Sequence, residues 1–563
     1  MSYRIALLEA VLLFSLGQPI AALAQVDSPS APVPIVPAGT ADTPMSYHLE
    51  GTAGEIFTTN DDQSPAVAAG LAGQDLLVWA NVYSSTDRDI QAVYVDHHTG
   101  AAVGDPFYVA SSLSDEAAPD VVFDVVNNRF LVVWQEASCT PTIPAHCGWT
   151  IRGRLLYSTY QSGGQFPADA FSVASALNTL APSEDLTSPS AAFNADDGIF
   201  LVAFVRSPVT TSTKSGDVNG QMLLGGSETP SVLGPPNGFA VLDYAHSLAE
   251  SIDVTWSDAT AGTFFVAAQV RTDTDDLYVA GAYVMDTYPA DEQPRLGSWA
   301  IAPYDRGDFP LTDDCYAPTV AYDASRSAYV IVFLTVDGDT LVIYGQRARP
   351  TYSSSTFRYD SSYAFPIATE LPLANFSYVG QRVVATGMDM ELGVFYLARW
   401  LDIFGSNYLS GFLPLNAMTV GGRLVIETGG TSSGRSLSLP QAACRGGACT
   451  ATWPGKFLLA TDTNLSIQRI WPDCRSLSLQ VSPTGSGCSI NRSLDNCYGG
   501  YKPDTVVTLT AVAPGGYVFS HWGGDVAGGS QTTTLTMDAD KSVVAYFVPA
   551  AAGSPLYLPL VRK

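Results

Sequence analysis

Side chains able to do chemistry are few and scattered along this chain. Of six histidines only His97 and His98 adjoin, between Val95-Asp96 and Thr99-Gly100, a composition that reads as an exposed hairpin tip. Aspartates recur just ahead of strand-like runs at Asp89, Asp217, Asp276 and Asp339. A calcium loop needs alternating oxygen ligands, and the nearest approaches are Asp217 with Asn219 and Asp337 with Asp339. Neither continues to a closing glutamate. Their shared position suits an Asx-turn, in which the aspartate bonds its own backbone. The sequence has no H-E-x-x-H, P-loop or dinucleotide fingerprint, and no S-x-D-x-G-x-T-W box. The motifs therefore predict no catalytic residue, no metal and no cofactor. Carboxylates assembled from distant segments, as glycoside hydrolysis uses them, leave no linear trace.

Eight cysteines fit an oxidising compartment. Close spacing predicts three bridges, Cys139–Cys147, Cys444–Cys449 and Cys488–Cys497. Cys315 and Cys474 remain, free or joined to each other. None shows the paired spacing of a zinc site. Short bridges of this kind remove little unfolded-state entropy and pin loops more than they hold a fold together.

The balance of the chain limits its partners. Lys and Arg number 27 against 54 Asp and Glu, a net charge of -27. Such a chain repels phosphate backbones and anionic headgroups, which excludes nucleic acid as an expected partner. With 46% hydrophobic and 14% charged residues there is ample material for buried cores. Arg4, the apolar run 5–16 and Ala22-Leu23-Ala24 compose a secretory signal cleaved between Ala24 and Gln25. Glu9 and Gln18-Pro19 interrupt the run far short of the ~20 residues a membrane span needs, so no membrane insertion is expected after cleavage.

The elements that must position any site show in a repeating column of apolar residues. DLLVW (75–79), FLVVW (130–134), FLVAF (200–204), FFVAA (264–268), YVIVF (329–333), VFYLA (394–398) and CTATW (449–453) recur at intervals of about 55–70 residues, the mark of a repeat architecture. Upstream of several lies a run opened by proline, as at Pro119, Pro189 and Pro318, where a missing N–H is tolerated. Downstream comes a run with a central glycine, as at Gly153, Gly220 and Gly345, and then a fourth run. Four antiparallel strands in each of seven repeats predict a β-propeller. The last repeat supplies three strands, ending near 467–471, and an orphan run, 55–59, precedes the first. Pairing of 55–59 with 465–470 would join the chain ends and remove an exposed sheet edge.

This repeat pattern, with its P-x-V-A-Y, L-V-V-W and I-x-G-R signatures, resembles secreted bacterial propeller-like proteins, a likeness of fold and hardly of activity. Beyond Trp471 the signature changes to V-T-L-T-A (507–511), G-Y-V-F-S-H-W-G-G-D (516–525) and K-S-V-V-A-Y-F (541–547). This stretch resembles the bacterial repeat related to the internalin B-repeat, a β-grasp-like unit of surface proteins. Many relatives carry a further cysteine pair near W-G-G-D; Val526 and Thr534 stand there instead. The ending LYLPLVRK (556–563) is similar to those of some exported proteins of filamentous bacteria, and a sorting or docking role stays open beside a frayed apolar tail.

The expected organisation is all-β: signal peptide 1–24, flexible linker 25–46, seven-bladed propeller of four-stranded blades 47–475, small β-grasp-like module 476–548 and tail 549–563. The leading expectation is an exported, non-catalytic binding or adhesion protein, secreted or on the cell surface and monomeric. Propeller loops present the binding surface, the module spaces or attaches it, and the ligand is an extracellular protein or glycan. Two alternatives stand beside it: a carbohydrate-active hydrolase or lyase with carboxylates near the propeller axis, and a structural envelope protein.

Overall fold

The computed structural model describes residues 47–550, except for short stretches between strands, the longest being 140–146, 175–183, 209–215, 286–294, 303–313, 432–440 and 456–463. The signal, the linker, the sequence 556–563 and His98 lie outside the described residues. Among those described the only helical turn is Ala324–Arg326.

Each apolar column forms the second strand of a small antiparallel sheet. In the first sheet the strands run Asp61–Ala69, Gln74–Ser84, Asp87–Asp96 and Ala102–Ala110, hydrogen-bonded in that order. Leu76, Leu77, Val78, Trp79 and Ala80 are all buried. Both faces of such a strand are covered by neighbouring sheets, so its sequence is a continuous apolar run rather than an alternation. The same plan recurs in sheets that begin at Glu116–Asp124, Glu184–Asn194, Leu248–Ser257, Cys315–Asp323 and Phe376–Ala385. Three of these have a fifth strand, because two short segments pair with one third strand: Ser231–Leu233 and Phe239–Leu242 both bond Asp217–Leu224. The expected four-stranded pattern is to that extent corrected: the two segments bond different stretches of one third-strand edge, 222–224 and 218–220 in this sheet.

The last sheet joins the two ends of the array. Strands Gln441–Arg445, Ala448–Gly455 and Asn464–Pro472 are completed by Tyr47–Ile56, antiparallel to Asn464–Pro472. The N-terminal strand therefore starts well upstream of the expected 55–59; Glu55 and Ile56 do face Ser466 and Leu465, and Tyr47 reaches Pro472. First strands touch the first strands of adjacent sheets in a cycle, and Gln441–Arg445 packs on Asp61–Ala69. The array is propeller-like.

Two sequence features acquire physical reasons. The first-strand prolines follow residues of positive φ, Ser64 (49°), Ala118 (48°), Ser188 (52°) and Ala317 (45°), each at a register shift in its strand pair. These are bulges, which bend and twist the strand nearest the centre. The third-strand glycines seat an outer aromatic: Gly153 faces Phe171 and Gly220 faces Phe239 across the ladder, and a Cβ at either would lie 3.0 Å from that ring.

The C-terminal module has two three-stranded sheets. In one, Lys541–Pro549 lies between Leu477–Ser482, parallel to it, and Tyr517–Gly524, antiparallel. In the other, Val506–Val512 lies between Ser489–Arg492 and Thr532–Thr536. Trp522, Tyr501, Leu509, Met537, Val543 and Phe547 form its core, and Tyr517 packs half-buried against them. Trp522 donates its indole N–H to the Ser530 carbonyl (2.8 Å).

The cysteines depart from the expected pattern. Cys444 and Cys449 are bridged across one strand pair. Cys497 is joined to Cys474, not to Cys488, and this also removes the Cys315–Cys474 pairing. The reason is local: Arg475 and Tyr501 exchange backbone hydrogen bonds of 2.7 and 3.0 Å, which lays Cys474 beside the Cys497–Gly500 turn, while Cys488 is buried in the module core. Cys315 is buried in the propeller-like array. Backbone register sets Cys139 opposite Cys147; their side chains lie outside the described residues.

Candidate functional site

Strand alternation sends the second-to-third and fourth-to-first connections to one face of the array and the first-to-second turns to the other. On the connecting face several aspartates make defined bonds. Asp185 Oδ1 accepts from the Trp149 N–H (3.0 Å), and Asp314 Oδ1 from the Leu277 N–H (2.8 Å). Asp115 holds Arg88 through Nε (2.7 Å) and Nη2 (2.6 Å). In each case an aspartate at or just before the start of one sheet's first strand grips the first residues of the preceding sheet's third strand. Sequence reasoning had missed these residues, yet a signal existed: Asp115, Asp185 and Asp314 each stand four positions before a bulge proline, Pro119, Pro189 and Pro318.

The sequence-predicted residues are placed otherwise. Asp217 opens its strand opposite Arg206, and Asn219 lies opposite Phe204, buried. Asp337 pairs with Thr340 at a hairpin; its side chain and all of Asp339 are outside the described residues. Among the described residues no group of three or more His, Cys, Asp or Glu is arranged to hold a metal ion. His97 is buried, not exposed at a hairpin tip, because Nδ1 sits 2.9 Å from Asp75 Oδ1.

One cluster on the connecting face has chemistry in reserve, at the seam between the first two sheets. Glu116 begins its strand directly opposite Glu136 and has no exposed surface. Ser112 Oγ donates to its Oε1 at 2.5 Å. Asp89, from the first sheet and also buried, lies on a strand in contact with that of Glu116, close enough for the two carboxyls to act on each other. Burial, with the negative charge of Asp89 and Glu136, pushes the Glu116 carboxyl up to about 7 against the bond from Ser112. Burial and Asp87 raise Asp89 as well. Arg152 lies 3.6 Å from Glu136.

Around this seam the surface is aromatic. Tyr83 and Tyr108 are 53% and 42% exposed, and their hydroxyls are 2.5 Å apart. That bond, with burial and nearby Asp89 and Asp87, raises the Tyr83 phenol to about 12. The Arg88 guanidinium sits 5.9 Å over the Trp149 ring, and Leu113 is fully exposed. Planar rings beside a planar arginine–carboxylate pair can stack on and hydrogen-bond a sugar ring or a peptide side chain. Glu116, closed to solvent, does not itself reach a ligand.

Residues 477–551 match the divergent InlB B-repeat domain, and the C-terminal module is such a domain. No curated protein matches the chain. It is similar to a solved structure of a Dyadobacter fermentans protein of unknown function, with 12% identity over 75% of this chain and 98% of that chain and a TM-score of 0.39. It is also similar to the polysaccharide lyase Uly1, at 12% identity over 74% of this chain and 91% of that one and a TM-score of 0.43. The Dos1 propeller aligns at 10% identity over 76% of this chain and 94% of its own, with a TM-score of 0.35. Likenesses this distant carry no functional argument; the propeller-like arrangement rests on the strand order and cyclic contacts given above.

Proposed function

We propose that this is an exported, surface-associated binding protein. Its array is a seven-bladed propeller over 47–475, closed by pairing of Tyr47–Ile56 with Asn464–Pro472. A signal peptide cleaved after Ala24 delivers it outside the cytoplasm. The B-repeat domain then acts as spacer or attachment unit, and the protein works as a monomer without a cofactor. The ligand is an extracellular protein or glycan rather than nucleic acid.

The observation that carries this reading is the exposed Tyr83–Tyr108 pair beside Arg88–Asp115 on the connecting face. Rigid rings and a bidentate ion pair offer contact area at small entropic cost. Glycan and peptide arrays probed with the purified chain test it. Binding that falls at least ~10-fold in Tyr83→Ala and Tyr108→Ala is expected, the loss of ~1.4 kcal/mol or more that an anchor residue supplies. Binding indifferent to both substitutions, or turnover of an arrayed glycan, overturns the reading.

A further inference from the structure

We propose that Glu116 and Asp89 share one proton and form a pH-operated latch across the seam between the first two sheets. The two carboxyls belong to different sheets, Asp89 to Asp87–Asp96 and Glu116 to Glu116–Asp124, and those strands are in contact. Glu116 has another glutamate, Glu136, directly across the ladder, a like-charge pairing that a sheet resists. Its Oε1 is taken by Ser112, but Oε2 is buried with no donor. A buried carboxylate oxygen left so is costly. A proton on Oε2, donated to Asp89, removes the orphan atom and one of three crowded charges together.

The fold does not need a carboxyl at this place. Leu186 and Cys315 occupy the equivalent position in other sheets, one residue beyond the gripping aspartates Asp185 and Asp314, and both are buried. The charged and titratable groups on the neighbouring elements are Asp87 and Arg88 from the third strand of the first sheet, and Tyr83 and Tyr108 from its second and fourth. The second sheet brings Asp115, Glu136 and Arg152. Arg88 is held by Asp115 and Arg152 by Glu136, so each arginine already has its own carboxylate.

When pH rises, the proton leaves Oε2 for solvent, and Asp89, Glu116 and Glu136 all carry negative charge. Repulsion then works against the seam. The folded Glu116 value, about 7, lies above the ordinary 4.5. The stabilisation is therefore complete below the ordinary glutamate range and is lost as pH rises through about 7. Because the seam carries Tyr83 and Tyr108, loosening it disorganises the proposed binding surface; that last step rests on the function proposed above.

The test is thermal unfolding of the full chain from about pH 5 to about pH 9, wild type against Glu116→Gln, whose amide keeps a donor toward Asp89 at every pH. The wild-type Tm should fall more steeply through neutrality than that of the variant. Infrared difference spectra should show a carboxylic-acid C=O band that disappears on the same titration and is missing in Glu116→Gln. Parallel Tm curves, or no such band, overturn the latch. Should Glu116→Gln fail to fold, Glu116→Leu, copying Leu186, gives the same flat comparison. Neither readout needs a ligand, so failure of the binding proposal leaves this test intact. Array binding compared at the two pH extremes then reads whether the latch governs the surface.

Discussion

Asp75 and Arg469 meet at 3.4 Å although 394 residues separate them in sequence. Asp75 opens the second strand of the first sheet, and Arg469 lies in the strand that pairs with Tyr47–Ile56. Both are almost wholly buried. Thr450 donates to Asp75 Oδ2 at 2.6 Å, Arg469 also bonds Thr450, and His97 meets Oδ1. The first and last sheets of the array are thus joined by a buried polar network, beside the backbone pairing of Tyr47–Ile56 with Asn464–Pro472.

Removing Asp75 takes a carboxylate from buried Arg469 and an acceptor from Thr450. Asp75→Ala is expected to destabilise the propeller-like array by about 3–5 kcal/mol. Calorimetry should show its transition displaced downward while that of the module stays in place. An unchanged transition means that the network contributes nothing to closure.

Closure by backbone has its own test. A chain that lacks the residues before 61 loses the strand Tyr47–Ile56 and exposes the edge of Asn464–Pro472. The melting temperature of the array should drop sharply and aggregation should rise. Retention of the full-length melting curve refutes the closed arrangement.

Non-reducing peptide maps should contain Cys444–Cys449 and Cys474–Cys497, with Cys488 recovered as a thiol. The cross-strand register also expects a Cys139–Cys147 peptide. The bridge from Cys474 spans 23 residues, for which loop-closure entropy gives about 3 kcal/mol. Cys474→Ser should lower module stability by up to that amount. A Cys488–Cys497 peptide in the map restores the pairing expected from spacing.

Trp522→Ala removes the largest ring of the module core and leaves the Ser530 carbonyl without its donor. A loss of about 3–5 kcal/mol is expected, enough to unfold a module of this size. Only the module transition should vanish from the calorimetric trace. A variant that stays folded but loses binding makes Trp522 a recognition residue instead.

Repeat and module were legible in the sequence because their signals are local. A strand covered on both faces is apolar over most of its length, so DLLVW and its counterparts mark the second strands without reference to partners. Gly153 and Gly220 were visible as a motif for a similarly short-range reason: an aromatic on the adjacent strand needs the space a Cβ would fill. The G-Y-V-F-S-H-W-G-G-D stretch identifies its domain because Gly524, at φ 85° with the Ser542 carbonyl against its Cβ position, admits little else. Pairings between sheets left no such mark. Spacing along the chain favoured Cys488–Cys497, whereas the backbone exchange between Arg475 and Tyr501 brought Cys474 to Cys497. His97 belongs to a surface hairpin by composition and is buried only because Asp75 draws it inward. Glu116 and Glu136 carry no signal in one dimension, and Asp89 stands there only as one of the recurring aspartates before strand-like runs. Their proximity, and with it the raised Glu116 carboxyl, arises from the packing of one sheet on the next, since electrostatic coupling depends on distance and burial rather than on order along the chain.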